Sequence, residues 1–523
     1  MAFRRITSNL QKNMKIVTTK TSLFIAVILA SIMLIETAQA QRAAQTVQGL
    51  YDEPKRPQFH FTPKINWMND PNGLVYYDGE YHMFFQHNPE GINWGNMTWG
   101  HAISPDLIHW EQQSHKIWPD SLGTIFSGSA VVDHNNTAGF QDGDERTIVA
   151  AFTYAGSRAE PSQPFTQALA FSNDRGRTFT KYDGNPILEN QSGGGDRDPK
   201  IFWHEPTDKW VMVLYLGRGH RFAIYTSPDL KEWTETQILE DEFYEVPDLF
   251  ELPVDGDPDN TKWVFLDVFG DYLLGDFDGE QFDRTSGRHK TDYGNNFYAT
   301  QTWDNVPDDR MIQIAWMRGG NFEGMPFNQQ MSFPAELSLR TTDHGIRLFR
   351  NPITEIENLY KETHTLENIT LVQGDNPLEG IEGDLFDVKM TINPGDASVI
   401  GLGIGGAFPR YNTAVEYYTS DQTIRSLTYP PGMQNLTYST APLAPENGTI
   451  ELRILIDRTS IEIFGNEGQM SITNHYERTG DARNIGLFLY AREGEATIET
   501  IEVNELNSAW RHERGSSNQT IKP

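Results

Sequence analysis

The 523-residue chain contains no cysteine. Disulfide bonds, thiolate nucleophiles and zinc sites built on cysteine are therefore excluded. Positive charge is also scarce, because 42 Lys and Arg residues face 72 Asp and Glu residues and leave a formal net charge of −30. A surface of this sign repels nucleic acids and anionic membranes, so we expect neither as a partner. A neutral substrate is the natural counterpart of such a chain.

Long apolar runs are rare, and the clearest one extends from Leu23 to Ile35, near the start of the chain. It follows five basic residues and precedes Ala38-Gln39-Ala40, a small-residue cleavage signal. The run is too short for a comfortable membrane span. We therefore predict a signal peptide over residues 1–40, cleaved after Ala40, and a secreted or periplasmic mature protein without an integral membrane segment. An uncleaved membrane anchor is the alternative, and the oligomeric state does not follow from the sequence.

Amphipathic helical patterns are missing between about residues 58 and 350, where short runs of aromatic and branched residues alternate with turn residues. This pattern predicts many short strands. A weak repeat, in which a Ser-x-Asp turn follows a strand, occurs three times: Ser104 to Trp110, Ser172 to Phe179 and Ser227 to Trp233. Repeats made of strands alone are typical of propeller blades. The sequence therefore predicts a β-propeller in this region.

The second half of the chain predicts another β domain. Asn351-Pro352 favours the start of a short helix, with Asn as the cap and Pro in the first turn, so we place a linker over residues 351–370. Alternating short strands over residues 371–510 predict a β-sandwich. Residues 41–57 and 511–523 are polar and unpatterned, and we interpret them as a leader and a tail. The predicted fold class is all-β.

Three acidic residues occur in similar settings. Asp70 lies among turn residues and polar groups that can bind hydroxyls, and Asp198 follows Arg197 and a run of glycines. Glu245 has apolar neighbours in the chain, a setting that suits a general acid because burial favours the protonated form. A carboxylate pair with one protonated member is the standard apparatus for cleaving glycosidic bonds. Taken singly, each acid could also be structural, as a turn cap, an ion-pair partner or a strand-end acceptor.

Four motifs in order along the chain resemble glycoside hydrolase family 32, which holds invertases, exo-inulinases, levanases and related fructosidases. These motifs are Trp67-Met68-Asn69-Asp70-Pro71-Asn72-Gly73, Phe126-Ser127-Gly128-Ser129, Arg197-Asp198-Pro199 and Glu245-Val246-Pro247. The resemblance covers nearly the whole mature chain, including residues 456–462. It implies a five-bladed β-propeller catalytic domain over residues 58–350, with the site in its central funnel, followed by the C-terminal β-sandwich.

The resemblance also implies residue roles. Asp70 would be the nucleophile, Glu245 the general acid and base, and Asp198 the group that stabilises the transition state. A retaining double displacement requires the carboxyls of Asp70 and Glu245 to be about 5–5.5 Å apart. Substrate-binding positions would be Asn69, Gln86, Trp94, Phe126, Ser127, Arg197 and Trp316. The implied activity is that of an exo-acting β-fructofuranosidase that removes terminal fructosyl units from fructans, with sucrose as a further candidate substrate, without a cofactor or metal.

The chain departs from the family pattern at three places. Val246 stands where many relatives have Cys, which puts the pH optimum in doubt. Asn296 replaces an Asp that relatives often carry, and Met317-Arg318-Gly319-Gly320 lacks the aromatic residue found there in many inulinases. The last two differences lie where the leaving group would bind. Substrate choice, including β-2,6 against β-2,1 linkages, therefore stays open.

Several alternatives share some of these features. A fructosyltransferase shares every motif named above, and an invertase acting mainly on sucrose and an endo-acting levanase are further alternatives. A sialidase would use the Asp-box-like segment Ser172 to Phe179, but it needs a tyrosine nucleophile and an arginine cluster. An inverting arabinan-type propeller enzyme would have a wider carboxylate gap. A fructan-binding protein without activity is the alternative from a different class. Scattered histidines lack the spacing of a zinc site.

Overall fold

The computed structural model describes residues 50–240, 243–405, 413–428, 437–476 and 485–510. The predicted signal peptide and the polar tail lie outside these residues. Helical structure among the described residues is confined to short 3₁₀ turns at Gly156–Arg158, Glu205–Thr207, Pro307–Asp309 and Thr354–Leu359. A search of the described part of the chain for a helix with the length and apolarity needed to cross a bilayer found none. The prediction of an all-β chain is confirmed.

The N-terminal domain is a β-propeller built from antiparallel sheets, in which consecutive strands pair with each other. The first sheet contains β1 Asn66–Tyr77, β2 Glu80–Asn88, β3 Thr98–Ser104 and β4 Glu111–Ile117. The second contains β5 Thr124–Asp133, β6 Thr147–Ala155, β7 Thr166–Ser172 and β8 Thr180–Lys181. The third contains β9 Arg197–His204, β10 Lys209–Leu216, β11 Arg221–Ser227 and β12 Thr234–Leu239.

A larger sheet holds most of the remaining propeller strands and divides into two groups of four. One group is β13 Asp248–Val254, β14 Asp257–Leu266, β15 Asp271–Phe277 and β16 Phe282–Arg284, with β17 His289–Lys290 beside it. The other is β18 Phe297–Thr302, β19 Met311–Met317, β22 Ala335–Thr342 and β23 Gly345–Pro352. Two short strands lie between β19 and β22: β20 Phe327–Asn328 and β21 Gln330–Met331. Five groups of four strands support the prediction of five blades.

The ring is closed by contacts between its last and first strands. β20 pairs in parallel with the start of β1, so that Asn66 faces Phe327. Neighbouring sheets bury apolar faces against each other, as shown by the cluster that joins Phe84 and Trp99 of the first sheet to Ile125 and Phe152 of the second. Because a single four-stranded sheet cannot bury both faces alone, this mutual packing holds the ring together.

The weak sequence repeat marks the same turn in three successive sheets. Asp106 accepts backbone N–H bonds from Ile108 and His109 just after β3. Asp229 does the same for Lys231 and Glu232 just after β11. In the looser copy Asp174, after β7, accepts from the N–H of Thr178. The repeat is therefore a capped turn between the third and fourth strands of a sheet, which explains why it recurs in a propeller.

The predicted short helix is present as a 3₁₀ helix with Ile356 and Leu359 buried, but its predicted start and cap at Asn351-Pro352 are wrong. Both residues end β23, and only the six-residue 3₁₀ turn Thr354–Leu359 follows, without a side-chain cap. Asn351 does not cap the turn because its side-chain amide donates instead to the backbone carbonyl of Glu467 in the second domain. Most of the predicted linker is a strand, since β24 begins at Tyr360.

The C-terminal domain is the predicted β-sandwich. One sheet contains β24 Tyr360–Leu371, β26 Phe386–Asn393, β31 Ile450–Ile456, β32 Ser460–Gly465, β33 Met470–His475 and β35 Ala496–Leu506. The other contains β25 Glu382–Gly383, β27 Val399–Ile404, β28 Thr413–Tyr418, β29 Thr423–Thr428, β30 Thr437–Pro442 and β34 Ile485–Arg492. Apolar residues of both sheets form one buried core.

Candidate active site

The residues of the four sequence motifs lie at the beginnings of four consecutive inner strands. Asp70 is in the first half of β1, Ser127 is the fourth residue of β5, and Asp198 is the second residue of β9. Glu245 lies three residues before β13. Tyr298, the second residue of β18, occupies the corresponding place in the last group. Because the first strands of the sheets surround the axis of a propeller, these five side chains meet at one end of the central channel.

The three acids lie close together, as the pKa values of Asp70 and Asp198 show. The charge of Glu245 helps to raise the pKa of Asp70, although burial is the larger cause. The charges of Glu245 and Asp70 both add to the effect of burial on Asp198. The structure therefore brings together carboxylates that are far apart in the sequence, as the enzyme hypothesis requires.

Asp70 is fixed by two hydrogen bonds. Asn69 Nδ2 donates to its Oδ1 at 3.0 Å, and Ser127 Oγ donates to its Oδ2 at 2.6 Å. Trp67 Nε1 donates to Asn69 Oδ1 at 2.9 Å and so orients the amide. Burial raises the pKa of Asp70 above its usual value, whereas the two hydrogen bonds oppose this rise because they stabilise the ionised form. Asn69 and Ser127, which the sequence predicts to bind substrate, therefore contact Asp70 in this structure.

Asp198 is almost completely buried. Its backbone N–H donates to Thr153 Oγ1 at 3.0 Å, and its Oδ2 accepts the backbone N–H of Val246 at 3.3 Å. Arg197 Nε lies 3.6 Å from the same oxygen. Burial and the neighbouring carboxylates raise the pKa of Asp198 to about 8, although Arg197 lowers it. One arginine thus compensates only part of the negative charge in the site.

Glu245 has polar partners on both carboxylate oxygens, in contrast to the apolar setting expected from its sequence neighbours. Arg197 Nη2 donates to Oε1, and the Tyr298 hydroxyl donates to Oε2 at 2.8 Å. Arg197 therefore touches Glu245 as well as Asp198, and its guanidinium lies 4.7 Å from the centre of the Tyr215 ring. Sequence reasoning missed Tyr298 and Tyr215 as members of this cluster, since their position at the site depends on the folded ring.

Two of the acids and one neighbouring residue have strained backbone. Asp198, Glu245 and Val246 have φ values of 64°, 45° and 41°, in the left-handed region that non-glycine residues rarely adopt. For the β-branched Val246 this conformation is especially unfavourable. Its side chain is held in place by Val268 and Ala299, and its N–H reaches Asp198. Strained residues of this kind cluster at functional sites, where the surrounding fold imposes them.

Aromatic side chains stand on two sides of the acids. Trp94 and Phe126 form one side, with ring centroids 6.1 Å apart. Trp316 forms the other, 6.1 Å from the ring of Trp67 and 5.9 Å from that of Tyr298. Aromatic faces bind the apolar faces of sugar rings, so both walls suit a saccharide.

Two glutamine side chains support the site. Gln86 was predicted from the sequence, and Gln329 was not. Gln329 Oε1 accepts both the Trp316 Nε1–H and the Gly319 N–H at 3.0 Å, and thereby fixes the second aromatic wall. Sequence reasoning did not identify Gln329. Gln86 is buried and its Nε2 lies 3.1 Å from the side-chain amide of Asn72, so it supports the strand pair that carries Asp70.

Comparison with known families agrees with this arrangement. The model of the glycosyl hydrolases family 32 N-terminal domain matches residues 60–352, and that of the family 32 C-terminal domain matches residues 355–505. The chain belongs to glycosyl hydrolase family 32. As a member of this family it is a glycoside hydrolase, which acts on O-glycosyl bonds.

Individual relatives of this family 32 chain are known. It is 40% identical to a levanase of Bacillus subtilis over 505 residues, which cover 90% of this chain and 73% of the relative. It is 32% identical to an extracellular exo-inulinase of Aspergillus ficuum, over 88% of this chain and 96% of that protein. The crystal structure of an exo-inulinase from Aspergillus awamori superposes with a TM-score of 0.78 at 30% identity, over 88% of this chain and all of that one.

A possible metal-binding cluster lies elsewhere in the family 32 chain. Among the described residues, Glu362, His364 and Glu505 of the sandwich are near enough to one another to share an ion. However, Glu505 already accepts from His364 Nε2 at 3.1 Å and from Lys361 Nζ at 2.9 Å. These bonds satisfy the carboxylate, and the cluster is on β24 and β35, not at the channel of the propeller.

Proposed function

We propose that the protein is an exo-acting β-fructofuranosidase that hydrolyses terminal β-D-fructofuranosyl units of fructans, of levan or inulin type, and of sucrose. The observation that carries this proposal is the meeting of Asp70, Asp198 and Glu245 at one end of the propeller channel, where Arg197 joins the last two acids. The names of the levanase and exo-inulinase relatives support the same substrate class.

The first step would be attack on the anomeric carbon. Asp70 forms a bond to this carbon while the bond to the leaving oxygen breaks, and Glu245 gives that oxygen its proton. Asn69 and Ser127 hold the Asp70 carboxylate in a fixed orientation, which favours in-line attack. The product of this step is a fructosyl ester of Asp70 and a free leaving sugar.

The second step would release fructose. Glu245, now ionised, takes a proton from water, and the hydroxide formed displaces Asp70 from the anomeric carbon. Two inversions at the same carbon give overall retention. Proton transfer by a placed acid contributes about 10²–10⁴ in rate. Arg197 and Tyr298 contact Glu245 in both steps and hold its carboxyl in position.

Asp198 would bind ring hydroxyls and stabilise the oxocarbenium-like transition state. The positive charge that develops on the sugar is attracted by this carboxylate in a site from which water is largely removed. Trp94, Phe126 and Trp316 would cover the apolar faces of the sugar. Within this proposal residues 58–350 form the catalytic domain, and residues 371–510 form the accompanying sandwich.

The proposed place of action is outside the cell. The name of the Aspergillus ficuum relative describes an extracellular enzyme, and polymeric fructans are too large to be taken up intact. We propose that residues 1–40 are a signal peptide cleaved after Ala40. These residues lie outside the described part of the chain, so mass determination of the N-terminus of the secreted protein tests this point.

Product analysis tests the proposed function directly. The purified protein is incubated separately with levan, inulin and sucrose, and products are followed by chromatography over time. Free fructose as the sole early product from the polymers indicates exo-action, and release must be absent from the Asp70→Asn variant. Short oligosaccharides would indicate endo-action, and kestose-type products at high sucrose would indicate transfer. No release from any of the three substrates would refute the proposal.

A further inference from the structure

The most exposed large apolar side chains of the propeller all lie at the end of the ring that carries the acids. In an antiparallel sheet that begins with its inner strand at this end, the connections between the second and third strands also lie there. So do the connections from one sheet to the next. Among the described residues of the propeller, the exposed large apolar side chains are Ile65, Ile92, Trp94, Trp118 and Phe269. Each precedes an inner strand or lies in one of these connections.

Trp118 differs from the other aromatic residues in this group. The ring of Trp94 contacts Phe126 and that of Phe269 contacts Tyr298, so both belong to the active-site walls. Trp118 is 51% exposed, and the aromatic ring beside it is that of His115, at 5.0 Å. An indole exposed to this degree offers an aromatic face that a ligand can cover.

The segment that carries Trp118 is held rigidly. Lys181 Nζ from the second sheet donates to the backbone carbonyl of Trp118 and to Asp120 Oδ2. The Tyr154 hydroxyl donates to the same Asp120 oxygen at 2.7 Å. Trp118 therefore stands on a fixed connection between the first two sheets, and a ligand need not order it upon binding.

A chain of hydrogen bonds fixes the proton on His115. His87 Nε2 must donate to the backbone carbonyl of Ile65, at 3.0 Å, because a carbonyl can only accept. Burial lowers the pKa of His87 to about 4 and also lowers that of His115, so both rings are neutral at pH 7. His87 Nδ1 then accepts from His115 Nε2 at 2.9 Å. His115 Nδ1 is left as an acceptor, with no protein partner in the described part of the chain.

We propose that Trp118 and His115 form a second sugar-binding surface, which holds a fructosyl unit of the polymer remote from the unit being cleaved. The inference rests on the proposed function. The indole would stack on the apolar face of the sugar, and His115 Nδ1 would accept a hydroxyl proton. This combination of one aromatic face and one fixed polar atom is typical of saccharide sites.

Two features favour a fructan as the ligand of this surface: its lack of charge and the direction in which the polymer leaves the channel. The fructan is neutral, so the acidic surface of the chain does not repel it, whereas an anionic polymer would be repelled. The rest of a polymer whose end is in the channel must leave across the same end of the ring. Trp118 lies on that end, on the connection that leads into β5, the strand that carries Phe126 of the active-site wall.

The test compares Trp118→Ala with a matched control. Tyr438 is an aromatic residue of the sandwich that is 59% exposed, so Tyr438→Ala removes a similar exposed ring far from the proposed surface. KM and kcat are measured on levan, inulin and sucrose. We expect Trp118→Ala to raise KM for at least one of the polymers about three- to ten-fold, with sucrose kinetics unchanged. Trp118→Phe should keep most of the affinity, and Tyr438→Ala should behave as the parent on all three substrates.

A binding measurement separates this inference from the proposed function. Two inactive proteins, the Asp70→Asn variant and the Asp70→Asn/Trp118→Ala double variant, are run through gels that contain levan or inulin. The retardation of their bands by the polymer is then compared. Loss of retardation with Trp118→Ala supports the second surface even if the protein hydrolyses none of the substrates. Equal KM values and equal retardation with and without Trp118 would overturn the inference. A parallel loss on sucrose would also overturn it, because Trp118 would then act on the active site itself.

Discussion

Two clusters of three buried or partly buried acids differ in how many cations they contain. The active-site cluster has one: Asp70, Asp198 and Glu245 with Arg197. The cluster at the junction of propeller and sandwich has two: Asp292, Asp457 and Glu462 with His60 and Arg350. This difference in charge balance separates a region that stabilises the fold from a region that performs chemistry.

The junction cluster is almost fully compensated. The His60 ring bridges two acids, with Nδ1 2.8 Å from Asp457 Oδ2 and Nε2 2.8 Å from Glu462 Oε1. Burial lowers the pKa of His60, but these hydrogen bonds and charges outweigh it and raise the pKa to about 9. In return, His60 lowers the pKa of both acids below their usual values despite their burial. His60 and the two acids that it bridges thus favour the charged forms of one another.

The active-site cluster shows the opposite pattern. Burial and mutual repulsion raise the pKa of Asp70 and of Asp198, and one arginine does not restore the balance. Left-handed backbone at Asp198 and Glu245 adds strain. The comparison teaches that excess negative charge is tolerated where a developing positive charge on the substrate can use it, and is neutralised where it only joins domains.

The largest expected effect is on activity. Asp70→Asn removes the proposed nucleophile while its amide can still contact Asn69 and Ser127, so fructose release from sucrose should fall about 10⁴-fold or more. The thermal midpoint should not fall, because an unfavourable charge is removed. Activity of the variant within ten-fold of the parent would show that Asp70 is structural. Rates are measured at an enzyme concentration high enough to distinguish residual activity of the variant from that of contaminating enzyme.

The second effect is on stability at the junction. Glu462 accepts from the Phe333 N–H at 2.6 Å and pairs with His60 and Arg350. Glu462→Gln leaves these two cations with less negative charge in a buried place, so unfolding should become easier by about 3–5 kcal/mol. Denaturant titration followed by tryptophan fluorescence measures the change.

The matched control for this change is Glu467→Gln. Glu467 is also a sandwich glutamate paired with a propeller arginine, Arg340, but this pair is exposed. Its loss should change the free energy of unfolding by about 1 kcal/mol or less. Equal losses in the two variants would contradict the view that the junction cluster has a special role in stability.

The third effect is a gain in stability at the active site. The pKa of Asp198 rises from 3.8 to about 8 on folding, so the folded protein binds more protons than the unfolded chain between these values. The contribution of Asp198 to stability therefore falls as pH rises from about 4 to 8. Asp198→Asn should raise the free energy of unfolding at pH 8 by about 2 kcal/mol or more, with almost no gain at pH 4. Activity should fall at both pH values.

This pH dependence distinguishes a charge effect from a packing effect. A gain of the same size at pH 4 and pH 8 would mean that the amide simply packs better. A loss at pH 8 would mean that the Val246 N–H bond to Asp198 matters more than the repulsion. Only a gain that grows with pH agrees with an unbalanced acid cluster.

Local features of the sequence predicted the strands and the repeated turn correctly, and they singled out acids that the fold brings together. Asp70 and Asp198 lie in motifs in which turn residues and glycines accompany the acid, and the Ser-x-Asp turn recurs at fixed places in successive sheets. Such signals are local because the backbone conformation that they require is local. The order of the motifs along the chain then indicated the family.

Contacts between distant parts of the chain could not be predicted. Glu245 has apolar neighbours in sequence, but its carboxyl meets Arg197 and Tyr298, which lie 48 and 53 residues away. His60 and Asp457 are 397 residues apart, and nothing near either residue indicates the pairing. The predicted helix cap failed for the same reason, since Asn351 bonds to the sandwich instead of capping the 3₁₀ helix.

The smallest expected effect is an alkaline limit set by His60. Its pKa is about 6.5 in the unfolded chain and about 9 in the folded protein, so its contribution to stability is complete below pH 6.5 and is lost as pH rises through 9. His60→Gln should therefore lower the free energy of unfolding by about 1–2 kcal/mol at pH 6, and the difference from the parent should shrink by pH 10. The comparison between variants cancels the titration of lysines and tyrosines that both proteins share. A difference that stays constant from pH 6 to pH 10 would mean that His60 is neutral in the fold, and the junction cluster would then be as unbalanced as the active site.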